Sequence, residues 1–577
     1  MPEQRTPETA TTAADENQPA ADPAAFWRDL AQDALANPLS PQELAPAAAD
    51  VLSHLASSPA YLGEMAQLAG RQVLRSLTAD HTRLSGAEDH RFADPAWQTP
   101  PFDLFARNFL LAEQWLSHFI LHAPGVDPKH ARRAVFAAQQ WFDAFSPSNF
   151  PWSNPEVLRA TLNQGGFNFL HGLDHFAHDM RRMFDPQAPD GENAFVVGRD
   201  VAVTPGKVVL RNELMELIQY APAQSGNGSR TRPEPLLIVP AWIMKYYILD
   251  LKPQDSLIRY LIGRGFTVFC ISWRNPGREL AETSFDDYRR LGPMAALDAI
   301  GAICGPRRVH ALGYCLGGTL LAIAAAAMAR DKDDRLASIC LLAAQTDFSE
   351  PGELQLFIDG PELDALDKIM ARQGYLDSRQ MAGAFSMLHA RDLVWSRMVT
   401  LYLLGEEEHP NDLMAWNADA TRMPYRMHSH YLRALFLHND LAEGRFEAGG
   451  GRVDIAAIAT PIFAVGTASD HVAPWRSVFK IHRLNPDEIT FLLASGGHNG
   501  GIVSPPGRLH RSYSIAFRPR GGPAPRPQDF VAQSTQKPGS WWPEYADWLA
   551  ARSGPFAAPP PMGEALCEAP GTYVLQR

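Results

Sequence analysis

The chain has 577 residues, more than one hydrophobic core usually holds, so two domains or one domain with large insertions are expected. Hydrophobic residues make up 46% and charged ones 20%, ordinary for a globular protein, while a net charge of −12 excludes the basic face of a nucleic-acid binder. Five cysteines without paired spacing exclude a disulfide framework and fit a reducing, cytoplasmic compartment.

Residues 1–25 are rich in Pro, Glu, Thr and Ala and lack a basic start followed by an apolar stretch, so they are expected to be disordered and not a signal peptide. Residues 26–195 read as a helical N-terminal domain, with apolar positions at helical spacing over 26–35, 42–57, 59–77 and 103–121. The aromatics of this region, among them Phe105, Phe109, Trp115, Phe119, Trp141, Phe142 and Phe145, are expected mostly to pack. From about 196 the pattern changes to strands. Two are predicted at 208–210 and 213–220, turning near Asn212, and a Gly/Ser/Pro-rich loop then leads into an apolar strand at 236–239. Helices at 255–264, 293–304 and 316–328 alternate with strands at 267–273, 308–312 and 338–343, which implies a mostly parallel sheet and an α/β catalytic domain over 196–577. Alternation stops over about 347–455. A structureless loop of that size is implausible, and an insertion there is placed to cap the site. The longest apolar run, 320–329, is far too short to span a bilayer, so no transmembrane segment is expected.

Chemistry is legible at residues 313–318, Gly-Tyr-Cys-Leu-Gly-Gly. A strand precedes them and a helix follows, so Cys315 falls on a sharp strand-to-helix turn of the form G-x-C-x-G, with a thiol where serine is usual. Bulky residues at 313 and 317 would clash in such a turn. The turn aims the Leu316 N–H at a developing oxyanion, and the helix N-terminus adds positive potential, which also favours a thiolate. A nucleophile of this type needs a carboxylate and then a histidine downstream, and both follow in that order. Asp470 lies past the predicted strand that starts at Pro461, and His498 sits among four glycines after the strand predicted at 489–494. Asp470 also suits a helix cap near Pro474. His471 faces away from Asp470 on an extended backbone, His310 lies inside a strand, and His428, His430 and His438 show no metal-ligand spacing, so all are read as structural or surface residues and no metal is expected.

Several segments taken together resemble the polyhydroxyalkanoate (poly-3-hydroxybutyrate) synthase family, class I type, within the α/β-hydrolase superfamily. They are Thr204-Pro205-Gly206-Lys207-Val208-Val209, Glu216 to Tyr220, Tyr247 to Leu251, Ile271-Ser272-Trp273-Arg274-Asn275-Pro276, the elbow, and Trp416-Asn417-Ala418-Asp419, and the likeness runs from about residue 85 to 507. The resemblance implies an α/β-hydrolase catalytic domain with a cap, preceded by a helical domain. It implies polymerisation of (R)-3-hydroxyacyl-CoA, expected to be 3-hydroxybutyryl-CoA, with release of free CoA. Mapped by motif, the nucleophile is Cys315, the aspartate Asp470 and the histidine His498. A second oxyanion N–H is expected from the loop after residue 239, at Ala241 or Trp242, and Asp470 would either orient His498 or help deprotonate the 3-hydroxyl of the next unit. No cofactor is expected, since CoA is part of the substrate. A homodimer and association with polyester granules are further expectations. The chain departs from the family pattern at Asn499-Gly500-Gly501, at Met244 and at Gly539-Ser540-Trp541-Trp542-Pro543. A hydrolase acting as thioesterase or depolymerase is the alternative, and a non-catalytic granule scaffold a third reading.

Overall fold

A computed structural model describes residues 41–78, 89–184, 195–223, 230–378, 380–381, 391–407 and 411–577. The disorder expected at 1–25 and the helix expected at 26–35 lie outside the described residues. Six helices come first: α1 (Pro41–Ala56), α2 (Pro59–Thr78), α3 (Phe102–Leu121), α4 (Pro128–Ala144), α5 (Pro155–Gln164) and α6 (Phe167–Phe184). Local chemistry sets their ends. Asp127 caps α4 by accepting from the Lys129 and His130 N–H groups ahead of a proline at the first helical position, and Asn154 caps α5 in the same way. Val51, Leu55, Ile120, Ala131 and Val135 form a small core between α1, α3 and α4. The packing expected of the aromatics holds only in part. Trp141 and Phe145 stack on each other but are 67% and 59% exposed.

The rest of the chain is built on one eleven-stranded sheet. In chain order its strands are β1 (Gly206–Arg211), β2 (Met215–Tyr220), β3 (Leu236–Val239), β4 (Val268–Trp273), β5 (Val309–Tyr314), β6 (Leu336–Leu342), β7 (Ile462–Thr467), β8 (Ile489–Ala494), β9 (Ser512–Arg518), β10 (Thr535–Pro538) and β11 (Cys567–Glu568). Their spatial order is β10-β9-β8-β7-β6-β5-β3-β4-β2-β1-β11. The six inner strands from β8 to β4 are parallel, and antiparallel pairs finish both edges. The inner strands are apolar on both faces because helices cover both sides, among them α7 (Leu257–Gly263), α8 (Ala295–Cys304) and α9 (Leu316–Asp331). β3 feeds β4 on one side, and the chain then returns to place β5 on the other. That reversal makes the carboxyl ends of β3 and β5 the topological switch point, the place where open α/β sheets bind ligands.

Element boundaries differ from expectation where a backbone group intervenes. α8 begins at Ala295 because Pro293 and the close contact of Gly292 with the Trp273 ring force a wider turn over Arg290–Met294. β6 ends at Leu342 because Ala343 takes φ 45°.

The insertion after β6 is mostly helical and includes α10 (Gly360–Gln373), α11 (Asp412–Ala418) and α12 (Tyr425–Tyr431). The N-terminal helices dock on it. Lys129 and Arg133 pair with Asp359 at 2.7 and 3.0 Å, Arg391 pairs with Glu113 and Asp143, and Asn168 donates to the Leu403 carbonyl. Gly172 lies so close to the Tyr402 carbonyl that a Cβ would meet it at 2.0 Å.

Across the molecule, the segment around β11 is tied to the sheet by buried Glu216, whose carboxylate accepts from Arg211, the Thr572 N–H and hydroxyl, and the Tyr573 N–H. Glu216→Ala should leave these donors unpaired and cost about 1–3 kcal/mol. A lower thermal midpoint together with faster proteolysis at 567–577 is the expected result.

Candidate active site

The elbow forms because β5 and α9 are joined by one residue. Cys315 takes φ 52° and ψ −122°, outside the regions an L-residue prefers, at a cost of order 1–3 kcal/mol. Its neighbours hold it there. The Cys315 N–H donates to the Leu342 carbonyl at 2.9 Å, and α9 is buried from Leu316 to Met328. A Cβ at Gly313 would lie 2.4 Å from the Gly318 Cα, and one at Gly317 would lie 2.1 Å from the Val239 carbonyl oxygen. The second contact shows how close the loop after β3 comes to the nucleophile's turn.

That loop carries Ala241 and Trp242, both buried. The N–H groups of Leu316, Ala241 and Trp242 have no acceptor among the described residues. The cap braces the loop from outside. Thr421 donates its hydroxyl to the Trp242 carbonyl at 2.5 Å and its N–H to the Ile243 carbonyl, and Trp416 donates to the Lys245 carbonyl. The Trp242 ring packs among Trp273, Phe285, Tyr288 and Tyr431. Met244, a departure from the family pattern, bridges to Ala420 of the cap. Buried Lys245 donates to the Val574 carbonyl at 2.7 Å and to that of Gln576, so the 572–576 segment reaches the same loop.

Asp470 stands past the end of β7 and His498 past the end of β8, adjacent parallel strands, so their loops meet. Asp470 Oδ2 accepts from His498 Nδ1 at 2.8 Å and from the Thr467 hydroxyl at 2.7 Å, and Oδ1 accepts from the Val472 and Ala473 N–H groups. The helix near Pro474 has Pro474 itself at its N-cap, so Asp470 holds the turn before that helix and does not cap it. With Nδ1 committed to Asp470, the His498 ring lies near enough to Cys315 for the two to act on each other electrostatically. Burial opposes charge on this ring, but the negative charges of Cys315 and Asp470 outweigh it and push His498 up to about 10. Burial would likewise raise the Asp470 carboxyl, yet the His498 charge and the hydrogen bonds hold it below its ordinary value.

The other histidines sit elsewhere. His310 lies between the Ser338 and Ser553 hydroxyls, buried and pushed down to about 4, and His428 is pushed to about 4 by burial. His471 and His438 are exposed, and His430 stacks on Phe446. No group of three or more His, Cys, Asp or Glu residues is arranged to hold a metal among the described residues.

Sequence reasoning missed several groups around the base. Tyr314 stacks on the His498 ring at 5.5 Å and donates its hydroxyl to Asn499 Oδ1 at 2.6 Å. Trp541 and Trp542 donate to the Gly501 and Ile502 carbonyls. Two departures from the family pattern, the Asn499 loop and the Trp-Trp pair, thus belong to one contact.

A family model described as poly-beta-hydroxybutyrate polymerase (PhaC) N-terminus matches residues 88–261, and one described as alpha/beta hydrolase fold matches 234–505. A poly(3-hydroxyalkanoate) polymerase of Methylorubrum extorquens is 42% identical over 504 residues, covering 85% of this chain and 81% of its own. The polymerase subunit of Rhizobium etli is 38% identical with 85% and 77% covered, and that of Cupriavidus necator 35% identical with 91% and 90% covered.

Because His498 is raised above its ordinary 6.5 in the folded chain, the stability it contributes is complete below about 6.5 and is lost as pH rises through about 10. Histidine-selective NMR should show its ring charged at neutral pH and titrating only towards 10. Cys315→Ala removes one of the two negative charges and should bring the midpoint down. A parent ring titrating near 6.5 contradicts the charged pair.

Proposed function

This chain belongs to the poly(3-hydroxyalkanoate) polymerases, and we propose that it builds polyester from (R)-3-hydroxyacyl-CoA, with 3-hydroxybutyryl-CoA as its substrate, through a thioester on Cys315. The observation that carries the reading is the hydrogen bond from His498 to Asp470 with Cys315, on its strained turn, close enough to the same ring to act on its charge. The Cys315 thiolate attacks the thioester carbonyl while His498 holds the proton. The oxyanion is received by the Leu316 N–H and by that of Ala241 or Trp242. As the bond from carbonyl carbon to CoA sulfur breaks, His498 gives its proton to the leaving CoA thiolate. The acyl group stays on Cys315.

His498, now neutral, takes the proton of the 3-hydroxyl of an incoming hydroxyacyl-CoA. The alkoxide attacks the Cys315 thioester, an ester forms, and Cys315 leaves as thiolate. The lengthened chain, now on CoA, reacylates Cys315 and frees that CoA. Exchange between two thioesters is nearly energy-neutral, so the acyl-enzyme keeps the drive needed to form an ester. Water must be kept away from it, and the cap over residues 347–455, held to the oxyanion loop by Thr421 and Trp416, is the group placed to do so. For Asp470 the orienting role is favoured. Four hydrogen bonds occupy its two oxygens, leaving it poorly placed to accept a proton from a substrate hydroxyl. No helix among the described residues is long and apolar enough to cross a membrane, and the polyester product supplies the granule surface at which the protein acts, as a homodimer.

Cys315→Ala should abolish CoA release and turbidity from 3-hydroxybutyryl-CoA; turnover near the parent rate, or a soluble hydroxy acid as the parent's product, contradicts the reading. Asp470→Asn should slow single-turnover acylation of Cys315 and elongation by the same factor, about 10²–10⁴. Acylation at the parent rate with elongation lost would instead make Asp470 the base for the hydroxyl.

A further inference from the structure

We propose that Tyr314 and Asn499 act as a pair that positions His498, a role additional to that of Asp470 and resting on the acyl-transfer reading of Cys315. A single hydrogen bond from Nδ1 to Asp470 fixes one point of the imidazole but leaves the ring free to swing about that contact. The face of the ring is set by something else. Tyr314, the residue before the nucleophile, lies against it with centroids 5.5 Å apart and planes at 30°. Tyr314 is in turn held at its far end, where its hydroxyl donates to Asn499 Oδ1 at 2.6 Å and lies 3.4 Å from the His498 carbonyl. Nucleophile strand and base loop are therefore joined through one phenol. Burial first, then the negative charges of Cys315 and Asp470, push that phenol well above its ordinary value, so it remains an O–H donor.

The base loop is a fit anchor because it is itself held. The Asn499 carbonyl accepts from the Ile502 and Val503 N–H groups, and the Gly497 carbonyl accepts from Gly501 at 2.7 Å. From the other side, buried Trp541 and Trp542 donate to the Gly501 and Ile502 carbonyls at 2.9 and 3.0 Å, and the Ser540 hydroxyl donates to the Ser504 carbonyl. Asn499 contributes the one side-chain acceptor that Tyr314 needs. The ring of His498 is then fixed at its edge by Asp470 and on its face by Tyr314, the kind of support that keeps a proton-transferring group within tenths of an ångström of its partner.

The test is a double-mutant cycle on the full chain, with rates expressed per Cys315 titrated by stoichiometric alkylation so that misfolded protein does not count. Tyr314→Phe keeps the ring and removes the hydroxyl. Asn499→Leu keeps the volume and removes the acceptor, while Asn499→Asp keeps an acceptor. Each of the first two should lower kcat about tenfold with KM unchanged, the size expected for loss of one buried hydrogen bond. The double variant should be no slower than the slower single one, and Asn499→Asp should stay within about threefold of the parent. A Tyr314→Phe rate within twofold of the parent overturns the proposal, as do losses that multiply in the double variant. Substantial turnover by Cys315→Ala would overturn the underlying reading instead, so the two failures are distinguishable.

Discussion

Cys315 takes a backbone conformation that L-residues avoid, and the rest of the site is arranged around keeping it there. The conformation falls on the single residue between the end of β5 and the start of α9. It is held by close packing of backbone on backbone, at Gly313 against Gly318 and at Gly317 against the end of β3. Those contacts do more than permit the turn. They bring the start of the loop after β3, at Val239 and Pro240, against the turn that carries Cys315.

Around this turn the molecule supplies three supports from distant parts of the chain. β7 and β8 set Asp470 and His498 side by side. The cap grips the oxyanion loop through Trp416 and Thr421, and it is in turn gripped by the N-terminal helices through the ion pairs of Arg133 and Arg391. The residues after β10 come back to both ends of the site, with Trp541 and Trp542 on the base loop and the 572–576 segment on Lys245. The N-terminal helices thus reach the chemistry through the cap. A change on their surface has a physical route, through packed side chains and paired charges, to the loop after β3.

How much of this could be read from the sequence follows from the range of the interactions involved. The inner strands were legible because burial on both faces makes them continuous apolar runs, as in 236–239 and 462–467. The Gly-Tyr-Cys-Leu-Gly-Gly turn was legible because its glycines, its nucleophile type and the flanking strand and helix all lie within one short segment. β9 was not, since most of its residues are only partly buried and its strand character comes from pairing with β8 and β10. β11 is two residues long and exists only because β1 lies beside it, some 360 positions away in the chain. Tyr314 read only as the unspecified position of the G-x-C-x-G turn, and Asn499 only as a departure from a family pattern. Their meeting spans 185 positions and leaves no local trace in either segment. Asp470 was legible as a carboxylate in hydrolase order, but whether it serves the histidine or caps the helix near Pro474 could not be chosen from spacing. The structure shows that its two oxygens divide the two tasks.

The central claim is that the acyl group passes through Cys315. Rapid acid quench of the enzyme with 3-hydroxybutyryl-CoA, followed by peptide mass spectrometry, tests it most directly. The account predicts a hydroxybutyryl adduct, or short oligomers of it, on the peptide containing Cys315, formed within the first turnover and removed by hydroxylamine. CoA release without any adduct on that peptide, or an acyl group found on another residue, would contradict it.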